Sequence, residues 1–293
     1  MKSKKLKKWT TLLTCATALT VMTACSQSSS QLTGTTSSTT SKTSAVTATT
    51  SKKTNKNNSN YFTSKDSDTS YNESSATKIK LSGSSADVSG DGAALSGSTV
   101  TISKAGTYVI SGKSDGVQIK VDAGDSDDVH IVLDGATMTN TNAAINATKA
   151  GHVYLTLKDG TTNTLSDSSS NSDEDADAVI FSKGDLTING TGTLNIDAKK
   201  NNGIKANDSL HMTGGTYKIS SVGDAFNVND ELNITGTTMT IDAKEDGVKV
   251  DNDEDTSVGT MYLSDNTITV TAGDDGIHAS GDLVIDSGTY TVK

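Results

Sequence analysis

From residue 186 onward, hydrophobic residues alternate with polar ones in short runs that recur along the chain. Leu186-Thr-Ile188 is the first clear run, and equivalent runs begin at Leu210, Leu232, Met261 and Leu283. A polar or glycine-containing turn follows each of them. Alternation with a period of two is typical of β-strands that bury one face. The pattern therefore predicts a series of short strands separated by turns.

Each repeat contains two further alternating runs, so it holds three short strands with a turn at each corner in about 22 residues. One repeat alone buries too little apolar surface to offset its own ordering entropy. Stacked repeats share hydrogen bonds and cover one another, which indicates an all-β fold, a parallel β-helix. In the first clear repeat the residues expected inside are Leu186, Ile188, Leu194, Ile196, Ala198, Ile204 and Ala206.

The third strand of each repeat can be followed upstream of this region. Its inward hydrophobic residue recurs at Ile180, Ile145 and Val117, with the extra residues placed in loops. Residues 79–111 read as strands that begin or cap the helix. The chain stops at Lys293 after the second strand of a repeat, so we expect either a fragment truncated at its C-terminus or an open last coil.

Composition supports an elongated, repetitive protein. Hydrophobic residues make up 32% and aromatic residues 4% of the chain, and proline and arginine are absent. The formal net charge is −10, and the acidic excess lies entirely after residue 75. An acidic body without arginine excludes typical nucleic-acid binding. It is compatible with divalent cations or with solubility alone.

Residues 1–25 read as a lipoprotein signal peptide, because five early lysines precede an apolar run and then Met22-Thr-Ala-Cys25. Cys25 is the expected lipidation site, which predicts a protein anchored on the extracellular face of a bacterial cell membrane. The alternative is an ordinary cleaved secretory signal. Residues 26–75 are rich in Ser and Thr and predict a disordered tether, since Tyr61, Phe62 and Tyr71 are too few to nucleate a core. Residues 76–293 form the predicted β-helix domain.

Several motifs of this domain occur in a recognisable order: Ile79-Lys-Leu-Ser-Gly83, Gly106-Thr-Tyr-Val-Ile-Ser-Gly112, Asp115-Gly-Val-Gln-Ile-Lys-Val121 and Gly160-Thr-Thr-Asn-Thr-Leu165. Together they resemble the bacterial carbohydrate-binding domain-containing β-helix family, described as binding cellulose and acidic sugars. That family is similar in fold to calcium-dependent pectate lyases. The resemblance implies a right-handed helix, bound calcium, and polysaccharide binding without established catalysis.

Carboxylates recur at the corner before the third strand in the last repeats. Rungs of a β-helix lie about 4.8 Å apart, and like charges at about 5 Å repel by roughly 3 kcal/mol at an effective dielectric of 20. Calcium would relieve this repulsion, because it accepts carboxylate and carbonyl oxygens in loose geometry. The alternative is that Asp-Gly pairs are ordinary turn chemistry. The predicted calcium ligands are Asp224, Glu245, Asp246, Asp274 and Asp275, together with Asp251, Asp253 and Asp255 of an acidic insertion.

One outward residue per third strand forms a column beside this corner. Lys205, Asn227, Lys249 and His278 are the predicted glycan-binding residues, and the upstream members are Gln118, Asn146 and Phe181. Lys249 and His278 are also candidates for the base of a lyase, although the chain has no arginine to stabilise the developing charge. A second interpretation of Lys249 is that it neutralises the neighbouring carboxylates.

Three functions remain open at this point. The first is a surface lipoprotein that binds an acidic or plant-cell-wall polysaccharide through a calcium-bearing face. The second is a calcium-dependent polysaccharide lyase, and the third is a non-catalytic stalk or adhesin. We favour binding over catalysis and expect a monomer.

Overall fold

The structure is a computed structural model that describes residues 46–50 and 60–293, and every described element is a β-strand. The strands before the regular repeats are β1 (Val46–Thr50), β2 (Thr77–Gly83), β3 (Ser85–Ser89), β4 (Ala93–Ser96), β5 (Thr99–Ile102), β6 (Gly106–Asp115), β7 (Gln118–Asp122), β8 (Asp128–Thr139) and β9 (Ile145–Lys149). The following strands are β10 (His152–Leu157), β11 (Thr162–Ser166), β12 (Ala178–Ser182), β13 (Leu186–Gly190), β14 (Thr193–Ala198), β15 (Asn202–Ala206), β16 (Ser209–Thr213), β17 (Thr216–Ser221) and β18 (Phe226–Val228). The last strands are β19 (Glu231–Thr235), β20 (Thr238–Ala243), β21 (Val248–Val250), β22 (Thr260–Ser264), β23 (Asn266–Thr271), β24 (Ile277–Ala279), β25 (Leu283–Ile285) and β26 (Gly288–Val292).

From β10 onward, each strand pairs in parallel with the strand three places further along the chain. The first stack is β10-β13-β16-β19-β22-β25. The second is β11-β14-β17-β20-β23-β26, and the third is β12-β15-β18-β21-β24. The fold is therefore all-β, with parallel strands in a nearly closed, β-helix-like arrangement.

The register of these pairs matches the predicted alignment of the repeats. In the first stack Leu186 pairs with Leu210, and in the third stack Ile204 pairs with Phe226. The residues expected inside the first clear repeat are all buried, with at most 3% of their surface exposed. Because the side-chain period of a strand is two, aligned rungs bring the same set of positions into the core.

One upstream alignment was wrong. Ile145 pairs with Ile119, not with Val117, so that Lys120 and not Gln118 lies beside Asn146. A shift of two residues keeps the same side chains inward, which is why alternation alone could not fix the register here.

Antiparallel strands cover the ends of the stacks. At the start, β3 pairs with β2 and β4 pairs with β5, as expected for strands that cap the helix. At the other end β1 pairs antiparallel with β26, from Val46 opposite Val292 to Thr50 opposite Gly288. The edge of β26, where we expected either a truncated chain or an open last coil, is thus paired with another strand of the chain.

The predicted tether extends too far. Residues 60–75, which we expected to be disordered, lie against the first stack, and Asp66 inserts into it with 2% of its surface exposed. We call residues 60–76 the strap. The signal peptide, Cys25 and most of the remaining tether fall outside the described residues. No described helix has the length and apolar character needed to cross a membrane.

Candidate functional site

The predicted glycan-binding residues form a row on the outer side of the third stack. Lys205, Asn227, Lys249 and His278 lie opposite one another in β15, β18, β21 and β24. Each strand places one of them outward because its neighbours in the strand are inward hydrophobic residues. The structure therefore brings this whole set together, with one side chain per rung.

A ladder of carboxylates runs beside the row, and its oxygens bond to the backbone of the next rung. Asp224 Oδ1 accepts the amide N–H of Asp246 at 2.9 Å, and Asp246 Oδ1 accepts the amide N–H of Asp275 at 2.8 Å. The ladder begins at Asn202, whose Oδ1 accepts the N–H of Asp224 at 3.1 Å. Asp224 and Asp246 are buried. These side chains therefore stabilise the corner by satisfying backbone donors.

Lys249 neutralises the ladder, as our second interpretation held. Its Nζ lies 3.1 Å from Asp246 Oδ2 and 3.8 Å from Asp224 Oδ2. Partial burial opposes the charged ammonium, but the hydrogen bond to Asp246 and the nearby carboxylates raise the pKa of Lys249 above its usual value. Lys249 is consequently held in its protonated form, which is unsuited to accepting a proton.

The other members of the row also contact carboxylates or their own corner. Lys205 Nζ bonds to Asp177 Oδ1 at 2.7 Å, and Asn227 Nδ2 donates to Asp224 Oδ2 at 2.6 Å. His278 Nδ1 lies 3.2 Å from Asp275 Oδ2 in the most exposed of these pairs. A ligand at this face would meet side chains whose positions are already fixed by the protein.

Only part of the predicted calcium set converges. Among the described residues, one group offers oxygens within 4.8 Å of one another, and it consists of Asp246, Asp274 and Asp275. Asp224 is turned toward Lys249 and Asn227. The remaining predicted ligands do not join the group: Glu245, Asp251, Asp253 and Asp255.

The donor set of this group suits calcium, because carboxylate oxygens are its preferred protein ligands. Asp274 and Asp275 are exposed, whereas Asp246 shares its oxygens with Lys249 and with the amide of Asp275. A cation would therefore be held chiefly by the two exposed carboxylates.

Turn chemistry accounts for only one of the Asp-Gly pairs considered. Gly116 has a φ of 109°, a region that glycine adopts readily. Gly247 and Gly276 do not have positive φ; a Cβ on Gly247 would meet Val270 and the carbonyl of Gly276. In the last rungs, glycine is thus required by close packing of the coil and the aspartate by the ladder.

Two open clefts flank the loop before β12 and give the row a concave border. A cleft of about 430 Å³ includes Phe181, Lys205 and Asn207, and one of about 470 Å³ includes Asp177 and Asn201. Clefts of this size can hold sugar units of a polysaccharide. Phe181 itself is 4% exposed and packs with Ala143 and Ala176, so it offers little surface for stacking.

Sequence reasoning missed a second polar surface, on the outer side of the first stack. There His130, His152 and His211 come onto one face, connected through threonine and asparagine side chains and through Asp66. The strap covers this face. The signal in the sequence was a set of aromatic residues within an otherwise Ser/Thr-rich segment.

His211 is the charged centre of the covered face. Its Nδ1 lies 3.2 Å from Asp66 Oδ1, and its Nε2 lies 2.8 Å from Glu231 Oε1. Burial opposes the charge, but hydrogen bonds to the two carboxylates raise the pKa of His211 to about 9. Burial also opposes the charge on Asp66, yet hydrogen bonds from His211, Thr63 and Thr187 hold its pKa well below the usual range.

Comparison with known proteins identifies the family. The family model for carbohydrate-binding domain-containing proteins matches residues 96–293, so the chain belongs to this family, as the sequence motifs predicted. A carbohydrate-binding domain-containing protein of Acetivibrio thermocellus is 36% identical over 137 residues, which are 45% of this chain and 48% of that protein. The chain thus matches about half the length of this curated relative.

A solved structure shares the fold. It is a gadolinium derivative of a polysaccharide lyase-like protein from C. thermocellum, with 30% sequence identity and a TM-score of 0.66. The match covers 72% of this chain and 96% of that chain.

Proposed function

We propose that this protein binds polysaccharide through the outer side of the third stack. The observation that carries the proposal is the row of Lys205, Asn227, Lys249 and His278, in register, beside a cleft of about 430 Å³. Its family and the lyase-like structural relative support a polysaccharide ligand. Ammonium groups in the row favour a glycan that carries carboxylates, because such a glycan can exchange with the carboxylates that now pair with the lysines.

The scaffold in this proposal is a right-handed parallel β-helix with three short strands per coil and a repeat of about 22 residues. From β10 onward, the pairing of each strand with the strand three places along supports the three-strand coil. Right-handedness follows from the strong preference of parallel crossover connections for that hand.

Calcium at Asp246, Asp274 and Asp275 is the second part of the proposal. The three carboxylates lie within reach of one ion, and the ion would supply positive charge to which a sugar carboxylate could bind. Lys249 should weaken cation binding at this site, because its ammonium is already paired with the carboxylate of Asp246. We therefore expect a weak site that a glycan strengthens.

The lipid anchor is the third part. The pattern Met22-Thr-Ala-Cys25 after a basic and then apolar segment supports lipidation of Cys25 and attachment to the outer face of a bacterial cell membrane. A Cys25→Ala variant, expressed with the intact leader, should appear in the culture medium instead of the membrane fraction. Retention of that variant in the membrane would contradict lipid anchoring.

Binding is tested with polygalacturonate and cellulose, with and without calcium. His278→Ala should weaken binding to polygalacturonate, while Lys218→Ala, an exposed lysine on the second stack, serves as the matched control. Weaker binding in the presence of a chelator supports the calcium-bearing face. Equal binding by both variants would exclude the third stack, and absence of binding to any glycan would favour the stalk or adhesin.

A polysaccharide lyase is the second candidate, favoured by the structural relative described as polysaccharide lyase-like. β-Elimination needs a base that takes a proton next to the sugar carboxylate. Lys249 is a poor candidate because its pKa is raised by its carboxylate partners. Accumulation of an unsaturated, ultraviolet-absorbing product that His278→Ala abolishes would establish the lyase.

A further inference from the structure

The strap covers the outer side of the first stack with a small number of specific contacts. Tyr61 stacks on Tyr262 with ring centroids 3.7 Å apart and planes at 4°. Phe62 meets His211 and Tyr262 edge-on. Most of the strap residues from 63 to 75 are exposed to solvent, apart from Asp66 and the half-buried Tyr71. The strap is thus attached at a few points and not along its whole length.

Asp66 is the contact that enters the sheet. Its Oδ1 accepts a hydrogen bond from Thr187 Oγ1 at 2.8 Å and faces His211 Nδ1 at 3.2 Å. Its backbone carbonyl accepts hydrogen bonds from Thr213 Oγ1 at 2.6 Å and from Asn189 Nδ2 at 3.2 Å. A single aspartate therefore connects the strap to two neighbouring rungs, β13 and β16.

The covered face differs from the open faces in the chemistry of its side chains. Aromatic, imidazole, amide and hydroxyl groups line up in register along its central column: His130, Tyr154, Thr187, His211, Asn233 and Tyr262. The corresponding column of the second stack has no aromatic residue: Thr164, Asn195, Lys218, Thr240 and Thr269. The central column under the strap also has no lysine, unlike the row on the third stack.

Flat rings separated by hydrogen-bonding groups are the usual platform for uncharged sugars, whose rings present apolar faces and hydroxyl edges. Tyr61 shows that the face of Tyr262 accepts a flat ring at van der Waals distance. A cavity of about 190 Å³, room for one sugar ring, opens at the other end of the strap, beside Tyr154. Its lining comes from both the strap and the sheet: Lys65, Asp68, Ser70, Asp128, His130 and Tyr154.

We propose that the outer side of the first stack is a second carbohydrate-binding face, for an uncharged glycan such as a β-glucan chain, and that the strap closes it with Asp66 as the latch. The glycan and the strap compete for the same surface, with a sugar ring replacing Tyr61 on Tyr262. This face and ligand are separate from the charged row on the third stack. When the strap lifts, the threonine, asparagine and histidine side chains meet water or sugar hydroxyls, so none is left buried without a partner.

The closed strap lowers the apparent affinity in proportion to the small fraction of molecules that are open. Asp66→Ala removes the latch and should therefore tighten binding of a soluble cello-oligosaccharide, by about tenfold or more. Asn72→Ala is the matched control, because Asn72 lies on the same strap outside the cavity, is exposed, and its side chain bonds only to Ser74 among the described residues. Adding Tyr262→Ala to Asp66→Ala should abolish the gain.

Hydrogen exchange of residues 60–76, measured in the full chain, reports whether the strap has lifted. Faster exchange together with tighter binding of the cello-oligosaccharide supports the proposal. Faster exchange with unchanged or weaker binding overturns the covered site, since the strap would then not compete with a glycan. Unchanged exchange in Asp66→Ala overturns the latch. Polygalacturonate, measured in parallel, should bind Asp66→Ala and the wild type equally, which separates this test from that of the third stack.

Discussion

Lys249 offers the sharpest test of how the acidic corner is stabilised. Its ammonium is the only cation within ion-pairing distance of Asp224 and Asp246 in the described part of the chain, and the two carboxylates are only 4% and 8% exposed. Lys249→Met keeps the unbranched apolar part of the side chain and removes the charged ammonium. Two buried carboxylates are then left with backbone amide donors but no counter-ion.

Removing one partner of a buried ion pair costs about 3–5 kcal/mol. Lys249 is 26% exposed and both carboxylates keep an amide hydrogen bond, so we expect a smaller loss, about 2–3 kcal/mol. For a domain of this size such a loss lowers the melting temperature by roughly 5–10 °C. Thermal and urea unfolding followed by circular dichroism measure it directly.

Lys244→Met is the matched control. Lys244 Nζ lies only 2.7 Å from Asp242 Oδ1, closer than the Lys249 pair, but the two side chains are 64% and 58% exposed. Exposed pairs contribute about 0–1 kcal/mol, so this variant should unfold almost as the wild type does. Equal losses in Lys244→Met and Lys249→Met would refute the reasoning, because burial would then not decide the strength of the pair.

The same variant also tests the calcium proposal. Without the ammonium, Asp246 is free to share its oxygens with a cation, so calcium should stabilise Lys249→Met more than the wild type. Asp246→Asn in the Lys249→Met background removes one of the two unpaired charges and should restore part of the lost stability. If calcium shifts neither protein, the three carboxylates do not form a metal site.

Three further predictions concern the strap and the core. His211 should titrate near pH 9 by NMR. Because this pKa is raised, attachment of the strap should be full below about pH 6.5 and should weaken as the pH rises through 9. A titration midpoint of His211 at or below pH 6.5 would contradict the ion pairs with Asp66 and Glu231. Phe226→Ala should cost about 3–5 kcal/mol in urea unfolding, since the ring is fully buried, whereas Val222→Ala, 51% exposed, should change stability by less than about 0.5 kcal/mol. Gly247→Ala should lower the free energy of unfolding by about 1–3 kcal/mol, because the added Cβ would crowd the backbone. Gly116→Ala has open space around it and should lose about 1–2 kcal/mol through its positive φ alone. A Gly247→Ala protein as stable as the wild type would show that the corner can relax.

The repeat could be predicted from the sequence because stacking ties each rung to its neighbours. Leu186, Leu210 and Leu232 must align if their repeats stack, and every inward position follows from that alignment. The predicted alignment of Ile145 with Val117 was wrong because both possible registers bury the same kind of residue, and the structure pairs Ile145 with Ile119.

The sequence could predict which residues share the acidic corner, but not the hydrogen bonds that they make there. Spacing placed Asp224, Asp246 and Lys249 on one corner, and the structure does so too. Residue spacing could not show that one oxygen of Asp224 and one of Asp246 accept the backbone N–H of the next rung, because this depends on side-chain orientation. The repulsion that seemed to require calcium is thus relieved in part by Lys249 and by backbone donors.

The strap was unpredictable for a different reason. Composition describes the average behaviour of a segment, and a Ser/Thr-rich segment has too little apolar surface to order itself. Residues 60–75 order because the sheet supplies what they lack, namely Tyr262 for Tyr61 and His211 for Asp66. Isolated aromatic and acidic residues in a polar segment are therefore worth reading as docking points on a neighbouring domain.

Charge along the third stack is unevenly balanced, and this suggests how its two ends would bind an acidic glycan. At the Lys205 end one ammonium pairs with Asp177, so a sugar carboxylate can replace the aspartate without any added ion. At the other end Asp224, Asp246, Asp274 and Asp275 outnumber Lys249, and a sugar carboxylate would be repelled unless a cation lay between them. A glycan that spans the row would thus bind by direct ion pairing at one end and by a calcium bridge at the other. Chelation should then weaken its binding without abolishing it.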